Sequence, residues 1–371
     1  MEAGAQPYGG VTHYSGQMSS GLMIATDGIA GSWQPTPYLT DEQLKMDGEA
    51  HMGLWAPWVR SFLLKQEVLS RLYLKSIPGT TDDETPASLI VYHLQEDPPV
   101  PDHNDELGDF KAHSLIQMTR PTISDFQRQL DRVRDYADLR GDRFNEIHSQ
   151  VGYPVPYFGT IVALHPERNR YTLEFLALTL AIASIISMRT KHAMACRRPD
   201  QLSAQVQPII PTPGHGTLPG AHSVEAFVIV EVLSSILKLR PNDQRRKFML
   251  RQAARISDNR VIAGVHYPVD SIAGALLGQT LGEYICARAG VEREGYAANV
   301  HIAAFNGPGV GARDFSLREM VETDHRLPSY GQRKSDPNGH LFEVDTGLPP
   351  IEPSMPLKWL FDLAQAEWSV S

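Results

Sequence analysis

The chain has 371 residues, 42% of them hydrophobic, which is enough for one large domain or two modest ones with a substantial core. Its 34 basic and 43 acidic residues give a net charge of −9, which disfavours nucleic acid or an anionic membrane as a partner of the whole surface. An anion site must therefore be local. The two cysteines, Cys196 and Cys286, are too few for a disulfide framework or a thiolate metal site.

Two segments of the N-terminal third predict irregular structure. Residues 1–40 are rich in Gly, Ser, Thr and Pro without a period, which indicates a surface arm. In residues 83–109, prolines and acidic residues surround one short apolar run. The first residues contain no basic segment followed by an apolar one, so no signal peptide is expected. A cytoplasmic location is the default, and an exported protein stays open.

Helical periodicity starts near residue 122. In the segment 122–139 apolar side chains recur at three- and four-residue spacing, and Ser124 and Gln127 form a predicted capping box. Further helices are predicted at 169–190, 223–239, 243–260 and 268–290, with a short terminal helix at 357–368. Asn242 or Asp243 is the predicted N-cap of the helix at 243–260.

Two of these helices carry further information. The apolar run at 175–188 is shorter than the roughly 20 residues of a bilayer span, so we expect a buried core helix and no membrane span. Small residues in 268–290 allow another helix to approach closely.

Few stretches alternate as strands do, so these elements predict an all-α fold in one domain, 1–371. It comprises an irregular or helical region at 1–120, a helical bundle at 121–290 that carries the functional site, and a loop-rich tail at 291–371. The glycine-rich segment 307–314 is expected to be a plain loop, because Pro308 interrupts it and no βαβ unit surrounds it.

Three stretches each combine a cation with a turn or a helix end. They are Lys191 to Arg198-Pro199, then Pro219-Gly220-Ala221-His222, and then Arg260, His266 and Asp270. Taken singly, they can be solvated charges, a core histidine and a helix cap. Together they suit a tetrahedral oxyanion, since arginine and lysine hold oxygens and small residues at a helix N-terminus let backbone amides approach it.

The three stretches resemble the signature of the superfamily of type 2 phosphatidic acid phosphatases, class A acid phosphatases and vanadium-dependent haloperoxidases. That signature is Lys-x6-Arg-Pro, Pro-Ser-Gly-His and Ser-Arg-x5-His-x3-Asp, and its order and spacing are matched over residues 191–270. Gly220-Ala221 replaces Ser-Gly, which removes one hydroxyl that Ser223 could supply only in a rebuilt turn. Asn259 replaces the serine before Arg260.

The resemblance implies a helical bundle of the acid phosphatase and vanadium haloperoxidase type, and a role for each matched residue. His266 bonds the central atom, vanadium (as vanadate) or phosphorus, and His222 is the acid and base. Asp270 orients His266, and Lys191 also polarises a bound peroxide. The implied oxyanion-binding residues are Lys191, Arg198, Gly220, Ala221 and Arg260.

Phosphate and vanadate share shape and charge, so these residues do not choose between the two activities. The long helical regions favour a vanadate-dependent haloperoxidase that oxidises halide with hydrogen peroxide. His215, seven residues before His222 as in bromide-using members, is a candidate for the halide pocket and favours bromide, although it could equally be a loop histidine. The lack of aromatic residues after Lys191 counts against this activity.

Two alternatives stay open. One is a soluble acid phosphatase that works through a phosphohistidine without a cofactor, and the other is a non-catalytic phosphate-binding relative. The expected partners are accordingly small molecules, either peroxide and halide or a phosphoester, and a homo-oligomer is compatible with the resemblance. Zinc binding by His215, His222 and His266 is disfavoured, because the three neighbouring cations would repel a metal ion.

Overall fold

The computed structural model describes residues 16–29, 51–80, 85–96, 110–240, 242–291, 300–320, 342–345, 348 and 350–369. The chain divides into two compact units, residues 1–64 and 65–371. The single domain expected over 1–371 stays a prediction.

The first unit contains helix α1 (Gly16–Ile29) and the start of helix α2 (Pro57–Leu69). Helix α1 lies within the segment 1–40 that was expected to be irregular, and the rest of that segment lies outside the described residues. The Arg60 guanidinium donates to the carbonyls of Met52 and Trp55, at 3.2 and 2.6 Å, so the start of α2 is tied to the turn before it.

The prediction of an all-α fold is wrong, because the second unit contains a five-stranded mixed sheet. Its strands lie in the order of the chain and are β1 (Leu72–Ile77), β2 (Ser88–Glu96), β3 (Phe110–Thr119), β4 (Ile302–Asn306) and β5 (Phe342–Asp345). Only β3 and β4 are parallel, and their register pairs Ile116 with Ala303. The other neighbours are antiparallel. The helical bundle is therefore the crossover between β3 and β4.

Strand β2 shows why the sheet was missed. It falls in the segment 83–109 that was expected to be irregular; residues 83, 84 and 97–109 of that segment lie outside the described residues. Alternate residues such as Leu89 and Val91 are buried, but the residues between them, Ile90 and Tyr92, are also apolar and only partly exposed. A period of two is invisible in hydrophobicity when both faces of a strand are apolar.

From residue 122 onward the described residues form α3 (Ile123–Tyr136), α4 (Arg140–Ser149), α5 (Val155–Val162), α6 (Arg170–Met194), α7 (Pro199–Leu202), α8 (Ala221–Ile236), α9 (Gln244–Ile262), α10 (Pro268–Arg288), α11 (Leu317–Met320) and α12 (Met355–Ala366). The predicted helices correspond to α3, α6, α8, α9, α10 and α12, whereas α4, α5, α7 and α11 were not predicted. Asp243 caps α9 as predicted. The capping box of α3 was misplaced, since it consists of Thr122 and Asp125.

Helix α10 packs unusually close to α8 because three glycines spaced by four residues face it. A Cβ atom on Gly274, Gly278 or Gly282 would lie 2.6, 2.5 or 2.6 Å from the nearest atom of the turn before α8 or of α8 itself. For Gly278 that atom is the carbonyl oxygen of Val224. The small residues predicted to allow close approach thus form the contact between the two helices.

Helix α6 contacts α8 and α12, and the terminal helix ends beside its first turn. The Glu367 carboxylate accepts the N–H groups of Tyr171 and Thr172, at 2.8 and 3.0 Å, which satisfies amides that have no acceptor inside α6. Among the described residues, one helical stretch, Arg170–Leu202, is long and apolar enough to cross a membrane, and 56% of its most apolar window is buried inside the protein. The absence of a membrane span stays a prediction.

The glycine-rich loop at 307–314 binds a carboxylate of the protein itself. The amides of Gly309 and Gly311 donate to Asp125, at 3.0 and 2.9 Å, and this side chain is fully buried. The loop therefore fixes the start of α3.

We predict that Gly278→Ala destabilises the protein by about 1–3 kcal/mol, because the new methyl group overlaps a backbone carbonyl that cannot move aside alone. Gly141→Ala on α4 is the matched control, since its Cβ atom would meet nothing within 4 Å. It is expected to stabilise the protein by up to about 1 kcal/mol through helix propensity. Urea unfolding measures both, and equal shifts would contradict the close packing of α8 and α10.

Candidate active site

His266 lies buried between α9 and α10 and is held at both ring nitrogens. Its Nδ1 is 2.8 Å from Asp270 Oδ2, and its Nε2 is 3.0 Å from Arg198 Nη1. Arginine can only donate, so Nε2 accepts and the ring proton is on Nδ1. Burial, with Arg198 and Lys191 nearby, holds the pKa of His266 well below its usual value. The ring is therefore neutral, with a lone pair on Nε2.

Asp270 fixes this tautomer. Its Oδ2 also accepts the Tyr267 N–H at 2.9 Å and the hydroxyl of Thr217 at 2.5 Å. Burial raises the pKa of Asp270. Three donors converging on one oxygen nevertheless favour the charged carboxylate at neutral pH. The predicted orienting contact between Asp270 and His266 is present in the structure.

Arg198 joins His266 to the loop before α8. Its Nη1 donates to the Val265 carbonyl at 2.6 Å, and its Nε donates to the His215 carbonyl at 3.0 Å. The exposed His215 ring lies close as well, with its Nδ1 3.2 Å from Arg198 Nη2. The structure thus brings the predicted halide-pocket residue to the site.

Lys191 lies buried near the end of α6 and points at the same loop. Its Nζ donates to the carbonyls of Gly216, Thr217 and Pro219, at 3.0, 2.8 and 2.5 Å. Three N–H donors thus meet three acceptors. Burial and the charge of Arg198 lower the pKa of Lys191. In this arrangement Lys191 shapes the loop, and it must release a carbonyl before it can bind an oxyanion.

Arg260, in the last turn of α9, has N–H donors that no described residue accepts. Its Nη2 donates to the Ile147 carbonyl at 3.0 Å and to Gln150 Oε1 at 3.3 Å. Its Nε and Nη1 are buried without a partner among the described residues. Burial lowers its pKa to about 10, so it stays charged at neutral pH. Buried unpartnered donors are costly, and an oxyanion of phosphate or vanadate would satisfy them.

His222 occupies the first turn of α8, and its Nε2 donates to the Gln150 carbonyl at 2.9 Å. Burial and the charge of Arg260 lower its pKa to about 3. The helix dipole also disfavours a cation at this end of a helix. His222 is therefore neutral before an anion arrives.

The turn that carries Gly220 and Ala221 is fixed to the first turn of α10. The Gly220 N–H donates to the Asp270 carbonyl at 2.8 Å, so one of the two amides predicted to bind the oxyanion is already engaged. The Ala221 N–H lies in the first turn of α8, where amides have no acceptor within the helix. A Cβ atom on Gly220 would lie 3.1 Å from the same Asp270 carbonyl oxygen, a tight contact that a serine could relieve only by a small shift of the backbone. Ser223 does not replace it, because its hydroxyl donates to Ser257 at 2.8 Å.

Two site residues were not predicted from the sequence. Thr217 lies beside the predicted turn and contacts Asp270. Gln150 contacts His222, Asn259 and Arg260 from the end of α4. Thr217 could have been found by its nearness to the motif, whereas nothing in the sequence around Gln150 marks it.

Comparison with known proteins identifies the superfamily of the central part of the chain. Residues 173–288 match the model of the PAP2 superfamily, so this part of the chain is a PAP2 superfamily domain and the predicted resemblance is confirmed. No curated protein matches the chain significantly. One similar solved structure is the first transmembrane PAP2 type phosphatidylglycerolphosphate phosphatase from Bacillus subtilis, with 18% identity over 43% of this chain and 84% of that one, and a TM-score of 0.34. Another is Aquifex aeolicus LpxE, with 24% identity over 43% of this chain and 96% of that one, and a TM-score of 0.34.

The low pKa of His222 predicts how stability depends on pH. The folded protein holds this ring neutral down to about pH 3, whereas the unfolded chain protonates it near 6.5. Its contribution is therefore full above pH 6.5 and is lost as the pH falls toward 3. Between these values His222→Gln should lower the slope of unfolding free energy against pH by about 1.4 kcal/mol per unit, the value for one proton. The exposed His192→Gln is the control, and urea unfolding from pH 4.5 to 7 measures all three proteins. Parallel slopes for the wild type and His222→Gln would contradict the prediction.

Proposed function

We propose that this protein hydrolyses phosphoesters through a phosphohistidine on His266. The observation that carries the proposal is the neutral His266 ring, whose Nε2 lone pair lies beside Arg198 while Asp270 holds the opposite nitrogen. The PAP2 superfamily domain supports the same class of activity. Phosphoester hydrolysis was an alternative in the sequence analysis, and it is now the better supported one.

In the first step His266 Nε2 attacks phosphorus. Arg198 releases Nε2 and moves to a phosphoryl oxygen as the P–N bond forms and the bond to the leaving alkoxide breaks. The His266 Nδ1–H donates to Asp270, and this carboxylate stabilises the imidazole ring as it becomes positive.

His222 handles the proton. Its pKa is low when only cations surround it, but a bound phosphate dianion favours the protonated ring and raises that pKa. Protonated His222 then gives its proton to the leaving alkoxide oxygen. In the second step it takes a proton from water as water attacks phosphorus, the P–N bond breaks and phosphate leaves.

Arg260 supplies the charge that stabilises the transferring group, through the Nε and Nη1 donors that have no partner in the described protein. The same residues fit orthovanadate, which would supply peroxide activation for halide oxidation. The position of His215 beside Arg198 suits either anion, so haloperoxidase activity stays a prediction, as does phosphate binding without turnover.

Two assays on one preparation test the proposal. We expect hydrolysis of an aryl phosphate that orthovanadate inhibits competitively, because vanadate occupies the same cations. We expect no bromination with peroxide and bromide when orthovanadate is added. Vanadate-dependent bromination without phosphatase activity would overturn the proposal, and phosphate binding without either activity would indicate a binding protein.

His266→Gln should reduce hydrolysis by at least about 1,000-fold, because the nucleophile is lost. His192→Gln, which removes an exposed histidine near the end of α6, should change hydrolysis little. Rapid quenching of the wild type with labelled substrate should trap a phosphoenzyme that is labile in acid and stable in base, as a P–N bond is. Full activity in His266→Gln, or an acid-stable intermediate, would exclude His266 as the nucleophile.

A further inference from the structure

Gln150 is the residue after helix α4 and is buried, with only 1% of its surface exposed. Its side-chain Oε1 accepts from Asn259 Nδ2 at 2.9 Å and from Arg260 Nη2 at 3.3 Å. Its backbone carbonyl accepts from His222 Nε2 at 2.9 Å. One residue outside the PAP2 match at 173–288 therefore contacts two of the residues assigned to the chemistry.

We propose that Gln150 is a positioning residue of the oxyanion site, whose side chain aims Arg260 and whose carbonyl aims His222. The proposal rests on the proposed function, because it assigns Arg260 to the transferring phosphoryl group. Gln150 itself does not touch the substrate.

The contacts of Arg260 explain how this works. Gln150 Oε1 and the Ile147 carbonyl both hold Nη2, at one end of the guanidinium group. The plane of the group is thereby fixed, and Nε and Nη1 are left for the anion. Without Gln150, Nη2 keeps one acceptor and the guanidinium group can turn about it, so fewer donors stay in place for the oxyanion.

Two neighbours fix the orientation of the Gln150 amide. Its Nε2 donates to Glu146 Oε1 at 3.1 Å, so its oxygen must face Asn259 and Arg260. Asn259 stands where the superfamily signature has serine, and its longer side chain reaches Gln150. The replacement of serine by Asn259 and the presence of Gln150 thus form one arrangement.

Side-chain variants of Gln150 leave the contact with His222 intact, because the backbone carbonyl remains in all of them. They also remove the bonds to Asn259 and Glu146, so the Arg260 background is needed to isolate the contact with Arg260. Gln150→Met removes the acceptor at similar volume. Gln150→Asn keeps the amide but shortens its reach, and it serves if the methionine variant does not fold. Gln279→Met is the matched control, since Gln279 is also buried but its side-chain nitrogen and oxygen have no partner among the described residues.

The readouts are the affinity for inorganic phosphate, measured by calorimetry on the folded protein, and kcat/KM for an aryl phosphate. We expect Gln150→Met to weaken phosphate binding about tenfold and to lower kcat/KM at least as much. In an Arg260→Met background the same change should add less than about twofold, because the residue that Gln150 aims is gone. Gln150→Asn should shift both values in the same direction, and Gln279→Met should leave them unchanged.

The proposal would be overturned by equal losses in both backgrounds, by unchanged phosphate affinity in Gln150→Met, or by a similar loss in Gln279→Met. Any of these would reduce Gln150 to a structural role. Failure of the proposed function would give a different result. A protein that binds phosphate without hydrolysing any phosphoester would still show the expected phosphate affinities for Gln150→Met in the wild-type and Arg260→Met backgrounds. Conversely, hydrolysis lost in His266→Gln with normal phosphate affinity in Gln150→Met would reject only the role of Gln150.

Discussion

The hydrogen bond from the Gly220 N–H to the Asp270 carbonyl, 2.8 Å long, is the contact on which the site depends. It joins the turn before α8 to the first turn of α10, the two places that position His222 and His266. Gly274, Gly278 and Gly282 let the two helices follow each other closely from there. The distance between the two histidines is therefore set by backbone packing. Because that packing is rigid, the separation of His222 and His266 does not depend on mobile side chains.

The buried cations of the site are not equally ready to bind an anion. Lys191 and Arg198 have their N–H groups engaged by carbonyls and by His266, whereas Arg260 keeps two nitrogens without partners in the described residues. An arriving phosphoryl group can meet Arg260 without breaking an existing bond. Arg198 must then exchange His266 for an oxygen of the substrate, and this exchange uncovers the nucleophilic nitrogen. On the proposed function, substrate binding and the activation of His266 therefore occur in the same step.

The sequence predicted the long helices and the motif residues because both depend on local spacing, whereas the short helices α4, α5, α7 and α11 were not predicted. Apolar residues at helical intervals marked α6, α8, α9 and α10, and the motif spacing marked Lys191 through Asp270. The sheet could not be predicted in the same way. Both faces of β2 are apolar, and β4 pairs with β3 across the whole bundle, a partnership that depends on tertiary packing. The role of Gln150 could not be predicted for the same reason, since this residue lies more than 100 residues from Arg260 in the chain.

The two departures from the superfamily signature change the site in opposite ways. At Gly220 a Cβ atom would lie 3.1 Å from the Asp270 carbonyl oxygen, so a serine there would require a small shift of the backbone, and the hydroxyl donor of the signature is missing. The hydroxyl of Thr217, which lies on the same loop, already donates to Asp270. At Asn259 the change has the opposite effect, because its amide and that of Gln150 add contacts around Arg260. A charged donor in a fixed orientation binds an oxyanion more strongly than a neutral hydroxyl does. On the proposed function, Arg260 at the end of α9 therefore contributes strongly to anion binding.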